Sequence, residues 1–430
     1  MSLFGSSGIR GKVNKKISPE LMLSVGAAVG SLYNDVIIGM DSRSSGDMLS
    51  NSLVAGLCSV GSNPYMAGVL PTPTLARAAK EYDAGLMITA SHNPADYNGV
   101  KMWNPDGSAF DEFQTETVEH RIIEAEFHLH NYDSLGTLRK HQGALEEHRK
   151  AIGSKLDCDC DIVVDCASGP TSLITPILLR DMGGSVVTLN SQIDGRFPGR
   201  MPEPLEDNLK DLITLVRSRG GIGIAHDGDG DRVVAVDETG RYLGGDPLLS
   251  LFVDHLSPSS VAVPIDASLV IDDMVGKVIR TKVGDVFISD AMRKMKIPFG
   301  GEPSGTYIFA DQGLYPDGVY AAALLANIAS EGKLSDRVDE LPSYPRMTKK
   351  YPLEKAKGAV MANLEEEISS LECEDVITID GFRVSLDDAW FLIRFSGTEP
   401  VIRMTAEARN EAGLKEAVSM ADEIIRRCLE

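Results

Sequence analysis

Ile222-Gly223-Ile224-Ala225 runs straight into His226-Asp227-Gly228-Asp229-Gly230-Asp231-Arg232, and Val233–Val236 follows. Two short apolar β-type runs around a glycine-rich acidic turn read as a strand, a loop at its carboxyl end and a second strand. The unit recurs along the chain. Val36-Ile37-Ile38-Gly39-Met40 leads into Asp41-Ser42-Arg43, Leu86-Met87-Ile88-Thr89-Ala90 leads into Ser91, and Asp161-Ile162-Val163-Val164-Asp165 is a further strand of this kind. Amphipathic helical stretches separate them. The alternation predicts α/β layers with largely parallel strands buried on both faces. In such folds ligands gather where loops leave the carboxyl ends of strands, so the polar segments there are the candidate sites.

Asp227, Asp229 and Asp231 stand at i, i+2 and i+4 with glycines between, a spacing that lets three carboxylates fold onto one point. Carboxylate oxygens suit a hard cation such as Mg²⁺. An EF-hand is excluded because Arg232 occupies the position of the obligatory turn glycine and the flanks are strand-like. A metal site is the expectation, against a solvated acidic turn.

Thr89-Ala90-Ser91-His92-Asn93-Pro94 puts Ser91 at a strand end, where its hydroxyl is either a nucleophile or phosphoryl carrier or simply part of a turn. A hydrolase elbow is excluded, since Thr89 and Asn93 replace the two glycines. Lys101 lies ten residues on and reads alone as a surface charge. Arg394-Phe395-Ser396-Gly397-Thr398-Glu399-Pro400, with Arg403, offers hydroxyls, glycine-freed amides and two guanidinium forks, an oxyanion cradle or an ordinary hairpin turn. Gly5-Ser6-Ser7-Gly8-Ile9-Arg10-Gly11 is glycine-rich and basic but lacks the Walker A lysine. Gly301-Glu302-Pro303-Ser304-Gly305 pairs a carboxylate with a hydroxyl, as sugar hydroxyls require.

The chain has 430 residues, with 42 Lys and Arg against 63 Asp and Glu, a formal charge of −21. Hydrophobic content of 43% and charged content of 24% exclude wholesale disorder. The acidic balance argues against nucleic acid or an anionic membrane as partner. It does not exclude small phosphorylated ligands, because recognition is local while net charge is a global sum. Six cysteines, with Cys158 and Cys160 spaced C-x-C, are too few for a disulfide scaffold and match no zinc pattern. Met1–Gly5 leads into polar sequence without a signal-peptide pattern, and no apolar run approaches the ~18 residues of a membrane span, so a cytoplasmic location is expected. Residues 114–150 read as helical with a solvated face, 194–204 as an ordered loop, and 341–345 as a joint. Beyond it a smaller unit is expected, with a helix over 354–371, β-type runs at 376–380, 389–395 and 401–406, and a last helix from Glu411.

Together and in this order, the five motifs resemble the α-D-phosphohexomutase family of phosphoglucomutases, phosphomannomutases and phosphoglucosamine mutases. The likeness runs from Phe4 to Arg403. It implies three related α/β domains with mixed sheets (1–135, 136–238 and 239–341) and a smaller C-terminal α+β domain (342–430) around one central cleft. It further implies that Ser91 is the phosphoserine, and that Asp227, Asp229, Asp231 and the phosphoserine hold Mg²⁺. Arg10, Lys101 and Arg232 would surround the reacting phosphate, with Lys101 a candidate general acid/base. Glu302 and Ser304 would hold sugar hydroxyls, and Arg394, Ser396, Gly397, Thr398 and Arg403 the other phosphate. The implied partners are hexose phosphates, interconverted through a hexose 1,6-bisphosphate that also acts as activator; a homo-oligomer stays open. Thr306 departs from the histidine of many relatives, and Pro303 occupies the variable sugar-loop position. Thr281–Asp285 and Ser396–Pro400 look closer to the glucosamine-type branch, with phosphoglucomutase/phosphomannomutase as the alternative. Rival classes are an aspartate-nucleophile phosphatase using Asp227 or Asp229 and a non-enzymatic, metal-dependent sugar-phosphate binder.

Overall fold

A computed structural model describes residues 3–5, 8–396 and 400–429. Asp35–Met40, Asn63–Val69 and Ala84–Ile88 form a parallel core, and Tyr97–Trp103 returns antiparallel beside Ala84–Ile88. Ile9–Lys12 and Arg139–Lys140 complete this first sheet at its two edges. The second sheet repeats the plan. Ser185–Leu189, Asp161–Asp165 and Ile222–His226 run parallel, and Val233–Val236 returns antiparallel. In the third, Val278–Thr281, Val261–Pro264 and Phe299–Glu302 run parallel and Thr306–Phe309 returns. The fourth is antiparallel throughout, in the order Arg346–Pro352, Val401–Ala408, Ala389–Phe395, Phe382–Leu386, Asp375–Ile377.

This plan places the motifs. The serine loop, the acidic loop and the sugar loop occupy the same topological position in three sheets, each joining the last parallel strand to its antiparallel return. All residues of Ala84–Ile88, Ile222–His226 and Phe299–Glu302 are buried, as strands covered on both faces must be. The fourth motif lies at the equivalent end of the Ala389–Phe395/Val401–Ala408 hairpin.

The second and third units share one apolar core. Gly318–Glu331 is apolar nearly all round and packs between them, joining Ile224, Val233 and Ala235 to Phe299, Tyr307 and Phe309. The fourth unit has its own core and rests on the third through Trp390 and Leu392 against Ile265 and through the Arg409–Asp273 ion pair at 2.6 Å.

Two expectations need correction. Residues 114–150 are not one helix: Glu112–Glu124 ends where Ala125 turns left-handed (φ 51°), and a second helix begins only at Ala144. In the C-terminal unit the helix spans Lys357–Ser369 and the strand expected at 376–380 spans Asp375–Ile377, both shorter than expected, and Arg346–Pro352 adds a strand the sequence did not predict. Among the described residues no helix is long and apolar enough to cross a membrane, and all six cysteines are free thiols.

Candidate active site

Ser91 leaves its strand in the left-handed region, at φ +49°. For a residue with a Cβ this conformation costs of order 1–2 kcal/mol. It aims the hydroxyl across to the second domain, where Ser91 Oγ donates to Asp227 Oδ2 at 2.6 Å. The Ser91 amide donates to Thr89 Oγ1 at 2.8 Å, and the Thr89 hydroxyl faces Asp229 Oδ2 at 3.1 Å. His92 Nδ1 lies 3.4 Å from Ser91 Oγ, and burial, with Arg232 and Arg10 nearby, pushes its pKa down to about 2, so the imidazole stays neutral.

The acidic loop folds as its spacing suggests, though its glycines differ in role. Gly230 takes a positive φ of 77°, whereas Gly228 is needed for close approach, since a Cβ there would lie 2.5 Å from the Ser91 carbonyl. Asp227 Oδ1 accepts the amides of Gly230 and Arg232. His226 bridges Thr175 and the Arg232 carbonyl, pinning the loop's far end. Carboxylate oxygens from Asp227, Asp229 and Asp231 lie within 4.8 Å of one another, all three residues buried. Burial, followed by mutual repulsion, raises the pKa of Asp227 and Asp231 above the ordinary range. Burial also opposes charge on Asp229, but Lys101 and the Thr72 hydroxyl outweigh it and hold the carboxyl low. Asp229 Oδ1 and Asp231 Oδ1 are buried without hydrogen-bond partners among the described residues. Three convergent buried carboxylates with two orphaned oxygens fit a hard divalent cation.

Lys101 is no surface charge. It is buried and bridges Asp229 Oδ2, at 3.1 Å, and Asp231. Burial disfavours its charge, yet the two carboxylates prevail and keep the amine protonated above its usual range. Arg10 stands beside Gly99 at the sheet edge, and its Nε is buried without a hydrogen-bond partner among the described residues. Arg232 remains charged despite burial, because Asp231, Asp227 and Glu302 offset it. A backbone bridge between Arg232 and Thr306 ties the acidic loop to the sugar loop.

Glu302 accepts the Gly284 amide at 2.6 Å and the Ser304 hydroxyl at 3.0 Å. Burial, reinforced by Asp285, raises its pKa to about 7. Arg394 pairs with Asp380 at 3.1 Å and stands opposite Arg403 across the hairpin, with Lys350 opposite Arg403 on the other side. Ser396 closes the hairpin by donating its amide to Val401. Gly397 and Thr398 lie outside the described residues.

A cavity of about 400 Å³ collects most of these groups, though not Asp227, Asp229, Ser396 or Arg403. Arg10, Ser91, His92 and Lys101 line it from the first domain, Asp231 and Arg232 from the second, Glu302, Ser304 and Thr306 from the third, and Arg394 from the fourth. An apolar cavity of about 300 Å³ adjoins it, lined in part by Phe4, Trp103, Phe110 and Phe287. Sequence reading did not single out Thr72, whose hydroxyl donates to Asp229 at 2.6 Å, or Lys16, which lines the cleft. No motif marks either residue.

Four domains around a cleft that gathers a serine, a carboxylate triad and basic side chains from the first, second and fourth domains define an enzyme of phosphoryl transfer. The sequence matches the four domain models of phosphoglucomutase/phosphomannomutase: α/β/α domains I, II and III over residues 1–129, 142–240 and 244–344, and the C-terminal domain over 346–424. The chain belongs to the phosphoglucomutase/phosphomannomutase family and is a phosphohexomutase, an isomerase that transfers a phosphoryl group intramolecularly. A protein of Methanocella arvoryzae named "Probable phosphoglucosamine mutase" is 43% identical, with 100% of this chain and 99% of that one covered. Among solved structures, a phosphoglucomutase/phosphomannomutase family protein of Burkholderia thailandensis superposes with a TM-score of 0.89 at 27% identity, covering 99% of this chain and 97% of that one. The N-acetylphosphoglucosamine mutase of Aspergillus fumigatus, solved with GlcNAc-6P and magnesium, shares the fold at a TM-score of 0.57 and 16% identity, covering 99% and 95%.

Proposed function

We propose that this enzyme interconverts glucosamine 1- and 6-phosphate, with Ser91 as the residue that carries the phosphoryl group between the two positions. The observation that carries the reading is the 2.6 Å contact of Ser91 Oγ with Asp227, at the meeting point of the buried triad and the basic cleft. The glucosamine preference rests on the names of relatives at 39–44% identity over nearly the full chain, together with the form of Thr281–Asp285 and Ser396–Pro400. The phosphatase and simple-binder readings give way to membership of a mutase family.

Asp227, Asp229 and Asp231 would hold Mg²⁺, with the Ser91 oxygen beside them; when bound, the ion neutralises charge developing on the phosphoryl oxygens. Phosphoryl transfer depends on positioning and electrostatics more than on covalent help from the protein. The phosphoryl group passes from Ser91 to a hydroxyl of the bound sugar phosphate, giving a 1,6-bisphosphate. That intermediate turns over in the cleft and returns its other phosphoryl group to Ser91. Arg10 and Arg232 flank the reacting group, and protonated Lys101 supplies positive charge and an available proton. Glu302 and Ser304 hold sugar hydroxyls, while Arg394 and Arg403 with the 396–398 loop cradle whichever phosphate is not reacting. A turnover panel of glucosamine-, glucose- and mannose-phosphates, with Mg²⁺ and a trace of hexose 1,6-bisphosphate, tests the proposal. Faster conversion of glucose or mannose phosphate would replace the sugar assignment.

A further inference from the structure

Arg43 sits beneath the serine loop, its side chain wholly withdrawn from solvent together with that of Asp41. A guanidinium has five N–H donors in a fixed fork, and here each has an acceptor. Nε donates to Asp41 Oδ2 at 3.0 Å. Nη1 donates to the carbonyls of Pro94 (2.5 Å) and Tyr97 (2.9 Å). Nη2 donates to those of Ser91 (2.8 Å) and Asn93 (2.7 Å). Four of the five bonds thus fall within seven residues, one on the Ser91 carbonyl itself. The Phe197 ring of the second domain covers the guanidinium at 5.1 Å.

Asp41 extends this arrangement to the reacting groups. Its Oδ1 accepts the Arg43 amide at 2.9 Å, and its Oδ2 also accepts the Thr89 hydroxyl at 2.7 Å. That hydroxyl oxygen in turn accepts the Ser91 amide and lies against Asp229. The left-handed backbone of Ser91 is therefore gripped at its carbonyl by Arg43 and at its amide by Thr89, both anchored on Asp41. A strained conformation persists where its surroundings over-determine it, and here they do.

We propose that Arg43, seated on Asp41, is a positioning residue for phosphoryl transfer: it fixes the Ser91 backbone so that the hydroxyl meets Asp227, without touching substrate. The inference rests on Ser91 being the phosphoryl carrier. Lysine is no substitute, because three donors on a point charge leave at least two of the five bonds unmade.

The test is Arg43→Lys in the full-length enzyme. It reads kcat and KM for glucosamine 6-phosphate, the thermal midpoint, and the rate at which glucose 1,6-bisphosphate phosphorylates Ser91, mapped by peptide mass. A displacement near 1 Å at a reacting atom costs about 100-fold. We expect kcat and Ser91 loading each to fall about 100-fold with KM nearly unchanged in protein that is still folded. Wild-type loading in folded Arg43→Lys overturns the proposal. If Arg43→Lys fails to fold, Asp41→Asn serves in its place, with an expected loss of about 10-fold, the equivalent of one hydrogen bond; wild-type loading there is equally fatal. A wild-type enzyme that turns over substrate yet never carries phosphate on Ser91 instead removes the reading of Ser91, and the positioning role falls with it.

Discussion

Ser91 and Asp227 are 136 residues apart in the chain, yet the hydroxyl of one donates to the carboxylate of the other at 2.6 Å. Neither is held there by its partner alone. Asp227 is fixed through its other oxygen by two loop amides, and Ser91 is fixed through its own backbone. Gly228, with no side chain, lets the acidic loop lie against the Ser91 carbonyl. Two loops from separate sheets are thereby registered by main chain, and the serine–carboxylate contact is built into the fold.

Replacing Ser91 separates chemistry from strain. Ser91→Ala and Ser91→Gly should both lower kcat by about 10⁴-fold or more, as loss of a nucleophile does. They should differ in stability. Glycine enters the left-handed region freely, so Ser91→Gly should be more stable than Ser91→Ala by about 1 kcal/mol. A coupled mutase assay and denaturant melts read the two effects; an active Ser91→Ala would remove the proposed carrier.

Metal should stabilise the enzyme as well as activate it. Asp229 Oδ1 and Asp231 Oδ1 are buried without partners, and a divalent cation would satisfy both. Mg²⁺ at 100 times its Kd should add about 2.7 kcal/mol to unfolding stability. Chelation should abolish turnover. Asp231→Asn retains an acceptor for Lys101 but removes one charge, so it should show a smaller Mg²⁺-induced rise in midpoint than the wild type. An equal rise in both would separate Asp231 from the metal.

How much of this was legible follows from how local each signal is. The strands and the loops that carry Ser91 and Asp227 could be read because each motif follows directly on an apolar run, whereas the loop of Glu302 could be read only from its pairing of a carboxylate with a hydroxyl, since Phe299-Gly300-Gly301 is no apolar run. Thr72 on Asp229, Arg43 on the Ser91 carbonyl and the Arg232–Thr306 bridge could not, since each depends on how separate sheets pack. Lys101 shows the same limit, an unremarkable lysine in sequence and a buried bridge between two carboxylates in the fold. The end of the helix at Ala125 carries no local signal, because a residue without Gly or Pro character ends it.

The fourth domain should contribute binding more than chemistry. Lys350, Arg403 and Arg394 stand in line across three neighbouring strands, which gathers positive charge at the end of the hairpin that carries the fourth motif. A charge-assisted bond to phosphate contributes roughly 1.5–3 kcal/mol. Arg403→Ala should therefore raise KM for sugar phosphates about 10- to 100-fold while changing kcat less. Unchanged KM in steady-state kinetics would show that the cradle lies elsewhere.

Glu302 ties the sugar loop to pH. Its pKa stands near 7 in the folded protein, chiefly through burial and then through Asp285, against 4.5 for an ordinary glutamate. Below pH 4.5 both folded and unfolded chains hold the proton, and pH has no leverage through this group. Between 4.5 and 7 the folded state keeps a proton that the unfolded state has released, so stability falls as pH rises. Above 7 both are ionised and the full cost, of order 3 kcal/mol, is in place. Glu302→Gln removes the titration. Its stability relative to wild type should therefore grow steadily in denaturant melts from pH 5 to pH 7 and level off at pH 8. A constant difference across that range would mean that Glu302 is ionised in the folded enzyme throughout, with the Gly284 amide, the Ser304 hydroxyl and Arg232 outweighing its burial.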